Sequence, residues 1–203
     1  DNLVCSFDGS CYIKEENNKL NTKCWTHTDQ APKNKGLTCY QGFISLTNNE
    51  ANSLLLYETS HKLHESYFRE INNTNDSKNW QLIDQDYLNK IKDKRKILKV
   101  PAGSLVLWDS RTFHQNIHSS AKEERIVQYI SMLPKNNKLN SVAMQKKRLK
   151  YFNQLRTTSH WAYPIRVNSL QPQTYGNNNL LIDYNTLNNP DLTLYQDIID
   201  TLL

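Results

Sequence analysis

The sequence has no long apolar run, no internal repeat and no linker of the kind that separates domains. A membrane-spanning helix needs about 18 or more consecutive apolar residues, and neither such a run nor a secretory signal is visible. At 203 residues, a chain without repeats or linkers is most simply one domain. We therefore expect a cytoplasmic protein of one domain, residues 1–203, with no membrane partner.

The sequence also lacks a strong charge of either sign. Its net charge is +5 and its pI is near 8.9, with basic residues concentrated only at 92–96 and 146–150. Two short basic runs of this kind are typical of solvated helix faces, so a nucleic-acid partner is not favoured.

Cysteine is scarce and lies entirely in the first fifth of the chain, at Cys5, Cys11, Cys24 and Cys39. Four cysteines could form two disulfides, but a domain of this length does not need covalent staples. Free thiols in a reducing compartment are the expectation.

What the sequence does contain, up to residue 133, is a series of short β-rich runs separated by turn residues. The Asp8-Gly9 pair between two strand-like runs predicts a hairpin over residues 3–14. Residues 63–71 and 84–91 have helical spacing, with Asp84 as the cap of the second helix. A long helix is predicted after residue 139 and a terminal helix from Asn189-Pro190.

This order of elements predicts a mainly β protein. Seven or eight strands, with helices confined to an insert and to the C-terminus, favour an antiparallel jelly roll or barrel-like sandwich over a βαβ sheet. The β core is expected over about 3–133 and a C-terminal helical extension over about 139–203. A small-molecule site in the mouth of the barrel follows from this architecture.

The stretch His27-Thr28-Asp29 carries the strongest indication of chemistry. Side chains two residues apart on a strand share a face, so the imidazole and the carboxylate project together. Two histidines and one carboxylate form the facial triad that binds Fe(II) and leaves open positions. His114, after a buried-looking strand, is the candidate third ligand, and His118 is its rival.

Arg125 stands directly before the apolar strand that begins at Ile126. A guanidinium that enters the interior of a barrel needs an anionic partner, because a buried, unpaired charge is very costly. A dicarboxylate co-substrate would supply that partner. Tyr40 and Gln41, on the strand after the metal motif, are further candidates, since alternation turns one of them inward.

Together these residues resemble the phytanoyl-CoA dioxygenase-like branch of the Fe(II)/2-oxoglutarate-dependent oxygenases. The resemblance spans roughly residues 3–133. It rests on four features: His27-Thr28-Asp29, the strand 41–46 leading to residues 58–62, the run 101–109 before His114, and the position of Arg125.

The resemblance implies a double-stranded β-helix, cupin-like, forming one oxygenase domain. Fe(II) would be bound by His27, Asp29 and His114, with 2-oxoglutarate and O2 as co-substrates and Arg125 on the far carboxylate of 2-oxoglutarate. Family members often carry Ser or Thr two residues after the distal histidine; Asn116 stands there instead and is expected to contact the co-substrate. The implied activity is the hydroxylation of a small molecule or a protein side chain, with 2-oxoglutarate converted to succinate.

Two other interpretations of the sequence remain open. Cys5, Cys11, Cys24 and His27 could form a structural zinc site, although their spacing matches no zinc motif and Cys5 and Cys11 are expected to be cross-strand neighbours in the hairpin. An oxygenase fold without activity, with a structural or interaction role, is the second alternative. His61 and His64 are expected to be surface or capping residues, and His160 is expected to be structural.

Overall fold

The protein is described by a computed structural model that covers residues 2–14, 23–73, 78–119, 121–164, 166–174 and 176–202. The strands within these ranges are β1 Leu3–Cys5, β2 Ser10–Ile13, β3 His27–Thr28, β4 Tyr40–Ser45, β5 Leu54–Tyr57, β6 Gln81–Leu82, β7 Arg95–Ile97, β8 Leu105–Asp109, β9 His114–Asn116 and β10 Arg125–Pro134. The α-helices are α1 His64–Glu70, α2 Gln85–Lys90, α3 Val142–Asn153 and α4 Gln196–Leu202. In these ranges, no helix has both the length and the apolar character needed to cross a membrane.

The chain forms two compact units, and the larger one, Gly9–Ser131, contains two antiparallel sheets. In one sheet the order is β2-β10-β4-β8, where β10 contributes its first part. In the other the order is β6-β3-β9-β5-β7. The prediction of a mainly β, antiparallel protein with some helices is therefore confirmed.

The two sheets of this unit share a core. Phe43, Trp108 and Val127 from the first sheet pack with Leu54 from the second. Strand β5 is buried on both faces, because Leu55, the next residue, packs into a second cluster on the opposite side of its sheet. This explains why β5 is a continuous apolar run rather than an alternating one.

The helical insert covers the outer face of the second sheet. Tyr67 and Phe68 of α1 and Leu88 of α2 pack with Phe113 in the second cluster. Asp84 caps α2 through its side chain, which accepts hydrogen bonds from the backbone N–H groups of residues 86 and 87. Both predicted helices of the insert, and the predicted cap, are confirmed.

The hairpin predicted over residues 3–14 is wrong. Within this segment β1 and β2 do not pair with each other: β1 pairs with residues 132–134 and β2 with residues 125–128. A tight hairpin turn would need a left-handed residue, and Gly9 does not have a positive φ angle. The carboxylate of Asp8 instead contacts His160 Nδ1 at 2.6 Å. Cys5 and Cys11 are consequently not cross-strand neighbours.

The smaller unit comprises the residues up to Asp8 and those from Met132 onward. Helix α3 confirms the long helix predicted after residue 139. The terminal helix begins at Gln196 rather than at Asn189-Pro190, after a 3₁₀ turn at Thr193–Tyr195. The side chain of Asp191, before this turn, accepts a hydrogen bond from the Thr193 backbone N–H at 3.0 Å.

Candidate metal centre

Two neighbouring strands bring the predicted ligands together. His27 of β3 lies directly opposite His114 of β9 in the antiparallel register, so both imidazoles leave the sheet on one face. Asp29 follows β3, where its backbone N–H donates to Ser110 O at 3.1 Å. Asp29 Oδ2 lies 3.6 Å from His27 Nε2 and 3.5 Å from His114 Nε2. All three side chains are buried, and their potential ligand atoms lie within 4.8 Å of one another.

The backbone fixes the orientation of both imidazoles. His27 Nδ1 lies 3.2 Å from Trp25 O and His114 Nδ1 lies 2.9 Å from Thr112 O. Because a carbonyl oxygen only accepts, each Nδ1 must be the donor. The Nε2 atoms of the two rings then face Asp29, as in metal sites where an outer hydrogen bond orients the ring.

The electrostatics of the triad suit a divalent cation. Burial lowers the pKa of His114, an effect that the Asp29 carboxylate partly opposes, so the neutral ring is favoured at pH 7. Burial alone would raise the pKa of Asp29, but the neighbouring His114 and His27 hold it well below its usual value. Two imidazoles and one carboxylate are a donor set that Fe(II) accepts.

A network beneath the triad positions Asp29. Gln41 Nε2 donates to Asp29 Oδ2 at 3.1 Å. Ser110 O also accepts from Thr28 Oγ1 at 2.9 Å, and Ser110 Oγ donates to the side chain of Gln30 at 2.8 Å. The carboxylate therefore stands on a segment held by hydrogen bonds on both sides of residue 29.

His64 belongs to this network, so its predicted place at the surface or at a cap is wrong. It is fully buried, it packs against Phe68, and its Nε2 lies 3.0 Å from Gln30 O. Burial lowers the pKa of His64. The residue lies at the first turn of α1, where the sequence alone gives no sign that α1 packs against the segment after Asp29.

Arg125 is fully buried at the start of β10. Its Nη2 donates to Asn116 Oδ1 at 3.1 Å, its Nη1 lies 3.8 Å from the Cys11 sulfur, and its guanidinium carbon stands 5.5 Å from the centre of the Phe43 ring. Nε is buried with no hydrogen-bond partner. Across the part of the chain that the structure describes, no carboxylate forms an ion pair with Arg125.

Asn116 and Tyr129 complete the surroundings of this guanidinium. Asn116 Nδ2 donates to the Tyr129 hydroxyl at 3.0 Å. Burial raises the pKa of Tyr129 to about 12, so the phenol keeps its proton. Tyr129 is not among the site residues predicted from the sequence. Its position four residues after Arg125 on one strand, and thus on the same face, could have placed it at the site.

Tyr40 and Gln41 face opposite sides of β4. Gln41 is buried next to Asp29, whereas the Tyr40 side chain is 45% exposed. Of the two candidates, Gln41 is therefore the one on the side of Asp29, and alternation along the strand is the physical reason.

Two tryptophans flank the imidazole of His27. The Trp25 ring stacks on it at 5.0 Å, and the Trp80 ring lies 5.4 Å away. Trp80 remains 46% exposed. The sequence offered no reason to place Trp80 here, because its proximity depends on the pairing of β6 with β3.

The remaining candidates lie outside the triad. His118 is half-buried and lies outside the group formed by His27, Asp29 and His114. None of the four cysteines belongs to that group. The cysteines are free thiols, and the zinc interpretation built on Cys5, Cys11 and Cys24 is not supported. His160 pairs with Asp8 in the smaller unit.

Comparison with known proteins gives a partial picture. No family model matches the sequence. The Ava biosynthesis cluster protein O of Aspergillus versicolor is 32% identical over 147 residues, which cover 66% of this chain and 48% of that protein. The chain thus spans about half the length of the curated relative that it matches.

Similar solved structures include HygX from Streptomyces hygroscopicus with nickel and 2-oxoglutarate bound, at a TM-score of 0.40 and 10% identity over 63% of this chain and 56% of that one. The non-heme alpha ketoglutarate dependent epimerase SnoN from nogalamycin biosynthesis has a TM-score of 0.37 and 15% identity over 64% of this chain and 46% of that one. These values are too low to assign a fold or an activity, so the assignment rests on the geometry of the site.

Proposed function

We propose that this chain is an Fe(II)/2-oxoglutarate-dependent oxygenase of the phytanoyl-CoA dioxygenase-like group, with a double-stranded β-helix in a single domain. One observation carries the proposal: the buried group of His27, Asp29 and His114 lies in the same β unit as Arg125, a buried arginine with no carboxylate partner among the described residues. A metal site and a buried cationic side chain are together what a keto dicarboxylate needs.

The three ligands fit Fe(II) by donor type, tautomer and charge. Two imidazoles with their Nε2 atoms turned toward one carboxylate leave the opposite side of an ion free for a chelating keto acid and O2. Bound Fe(II) would couple the decarboxylation of 2-oxoglutarate to succinate with the oxidation of a substrate C–H bond.

Arg125 would bind the far carboxylate of 2-oxoglutarate by a forked, charge-assisted pair. Asn116 keeps the Nη2 side of the guanidinium in place at 3.1 Å and is itself held by a hydrogen bond to the Tyr129 hydroxyl at 3.0 Å. The packed rings of Phe43 and Trp108 would exclude water from this pair and strengthen it. These contacts support a role for Arg125 in binding the co-substrate carboxylate rather than in binding the metal.

The substrate is a small molecule or a protein side chain. The name of the Aspergillus relative, a biosynthesis cluster protein, supports a small molecule. Catalysis by this chain, rather than an inactive structural role for an oxygenase fold, is favoured by the completeness of the triad together with Arg125.

The test is the visible charge-transfer absorption that forms when a 2-oxo acid chelates Fe(II). Protein loaded with Fe(II) without oxygen should develop this band on addition of 2-oxoglutarate. The band should disappear in Asp29→Ala and in His114→Ala. His118→Ala is the matched control, since it removes an imidazole four residues from His114, and it should keep the band.

A parent protein that binds Fe(II) but gives no band would refute the proposal. So would a band of full intensity in Asp29→Ala. A normal band without any succinate formed in air, across a wide set of substrates, would favour the inactive alternative.

A further inference from the structure

Of the six buried side-chain polar atoms without a hydrogen-bond partner in the described part of the chain, three lie on neighbouring strands. They are Gln41 Oε1 on β4, Trp108 Nε1 on β8 and Arg125 Nε on β10. Buried polar groups are nearly always hydrogen-bonded, so three exceptions on adjacent strands indicate a polar ligand. The proposed co-substrate accounts for Arg125. It leaves the other two atoms unexplained.

Gln41 and Trp108 form a pair by their position in the sheet. They are directly opposite each other in the register of β4 and β8, so their side chains leave the sheet on the same face. The Trp108 ring centre lies 5.1 Å from that of His114, and Gln41 contacts Asp29. The pair therefore stands beside two of the metal ligands.

The contact with Asp29 determines which end of the Gln41 amide is available. A carboxylate only accepts, so Nε2 of Gln41 is the atom that donates to Asp29 Oδ2 at 3.1 Å. Oε1 is thereby left as a buried acceptor. Trp108 Nε1 is a donor and cannot accept. The pair thus consists of one acceptor and one donor.

2-Oxoglutarate cannot satisfy both the acceptor and the donor of this pair. The 2-oxoglutarate dianion has no N–H or O–H group and gives Gln41 Oε1 nothing to accept. An ether or a ketone has the same defect. A hydroxyl group donates and accepts through one oxygen atom, which suits two groups on directly opposed residues.

We propose that Gln41 and Trp108 bind a hydroxyl group of the substrate, which makes the substrate class an alcohol. The hydroxyl donates to Gln41 Oε1 and accepts from Trp108 Nε1. This inference rests on the proposed function for the location of the substrate beside the metal. A site with buried groups for a hydroxyl rejects the analogue that lacks it, because the groups are then left unpaired.

The experiment follows the indole N–H resonances by ¹H–¹⁵N NMR. The chain has 4 tryptophans, and Trp108→Phe identifies the resonance of Trp108. The probes are propan-1-ol and ethyl methyl ether, which have the same number of heavy atoms and differ in the ability to donate. Each is titrated into metal-free protein and into protein loaded with redox-inert Zn(II) and 2-oxoglutarate.

The Trp108 resonance should shift saturably with propan-1-ol, with an affinity roughly tenfold or more above that of the ether. Gln41→Leu should abolish the saturable shift while the other indole resonances stay in place, which shows that the variant is folded. Gln85→Leu, a change at an exposed glutamine on α2, should leave the titration unaltered.

Equal responses to alcohol and ether would overturn the inference, as would a Gln41→Leu variant that responds like the parent. A Trp108 shift produced by 2-oxoglutarate alone, with no further change on adding propan-1-ol, would assign the indole to the co-substrate and also overturn it. Failure of the proposed function is a separate result: the protein would not bind Zn(II) and 2-oxoglutarate, while Trp108 in the metal-free protein would still respond to the alcohol.

Discussion

Among the described residues, two arginines are fully buried, one in each compact unit, and they are held in different ways. Arg148 donates to two backbone carbonyls, Ala162 O at 3.0 Å and Cys5 O at 2.8 Å, and stacks over Phe7. Arg125 instead contacts side chains, Asn116 Oδ1 at 3.1 Å and the Cys11 sulfur at 3.8 Å, and its buried Nε has no hydrogen-bond partner among the described residues.

The difference separates a structural arginine from one that binds a ligand. Backbone carbonyls cannot leave, so the guanidinium of Arg148 and the segments that it joins stabilise one another. A guanidinium whose donors are only partly used is costly until an anion binds. Burial by itself says nothing about function. The kind and number of the hydrogen-bond partners distinguish the two roles.

The largest effect is expected for Arg148→Met. The substitution removes the charged donor that the carbonyls of Cys5 and Ala162 share, which should lower the free energy of unfolding by roughly 3 kcal/mol. Urea unfolding measures this loss. A loss below about 1 kcal/mol would show that the two carbonyls find other donors and that Arg148 is not the structural member of the comparison.

Arg125→Met should show the opposite pattern. The free energy of unfolding should change by less than about 1 kcal/mol, because Met fills the volume and removes a costly buried charge. The Kd for 2-oxoglutarate should rise by about 30-fold to 100-fold, since the far carboxylate loses its partner.

Calorimetric titration of the Zn(II)-loaded protein measures that Kd. Arg125→Lys should give an intermediate affinity, because a lysine keeps the charge without the fork. If Arg125→Met unfolded the protein yet bound 2-oxoglutarate normally wherever folded, the two arginines would have the same role and the comparison would fail.

Arg111 offers a third, smaller case, in which a carboxylate satisfies the guanidinium. Its Nη2 donates to Asp109 Oδ2 at 2.6 Å, and both side chains are mostly buried. Burial alone would raise the pKa of Asp109, but the hydrogen bonds from Arg111 hold it below its usual value. A depressed pKa stabilises the folded state above the pKa of the unfolded chain and loses that contribution as the pH falls.

Asp109→Asn should therefore destabilise the protein by about 1 kcal/mol at pH 7. The difference from the parent should shrink as the pH falls below about 3.9, the ordinary pKa of aspartate, and vanish below the folded pKa of Asp109. Urea unfolding across this pH range tests the sign. A difference that grows on acidification would contradict it.

Local rules predicted the parts of the site that depend on a single strand. Alternation along a strand predicted that His27 and Asp29 share a face and that one of residues 40 and 41 points inward. The apolar strand after Arg125 predicted that the arginine enters the interior. No local sequence pattern predicted the partners that come from elsewhere in the chain. The contact of His64 with Gln30, and the approach of Trp80 to His27, depend on tertiary packing.

The hairpin predicted at Asp8-Gly9 was wrong because tertiary pairing outweighed a local preference. A turn-forming pair expresses a local preference, whereas both flanking strands found partners along β10, more than 100 residues away in sequence. Pairing with a long strand outweighs the preference of one dipeptide, because each ladder residue adds a hydrogen bond and a packed side chain. The Asp8 carboxylate pairs with His160 instead.

The smallest effect is expected at Asn116, the acceptor of Arg125 Nη2. Asn116→Ser introduces the residue type common in the resembling family and keeps a hydroxyl acceptor, so the Kd for 2-oxoglutarate should change by less than about fivefold, or roughly 1 kcal/mol. Asn116→Leu should weaken binding more, since it leaves the guanidinium without this partner and with more freedom to turn from the ligand. Calorimetric titration of both variants distinguishes these roles. Equal losses of affinity would mean that Asn116 contributes by its shape. A larger loss of affinity for Ser than for Leu would show that Asn116 does not belong to the anion site.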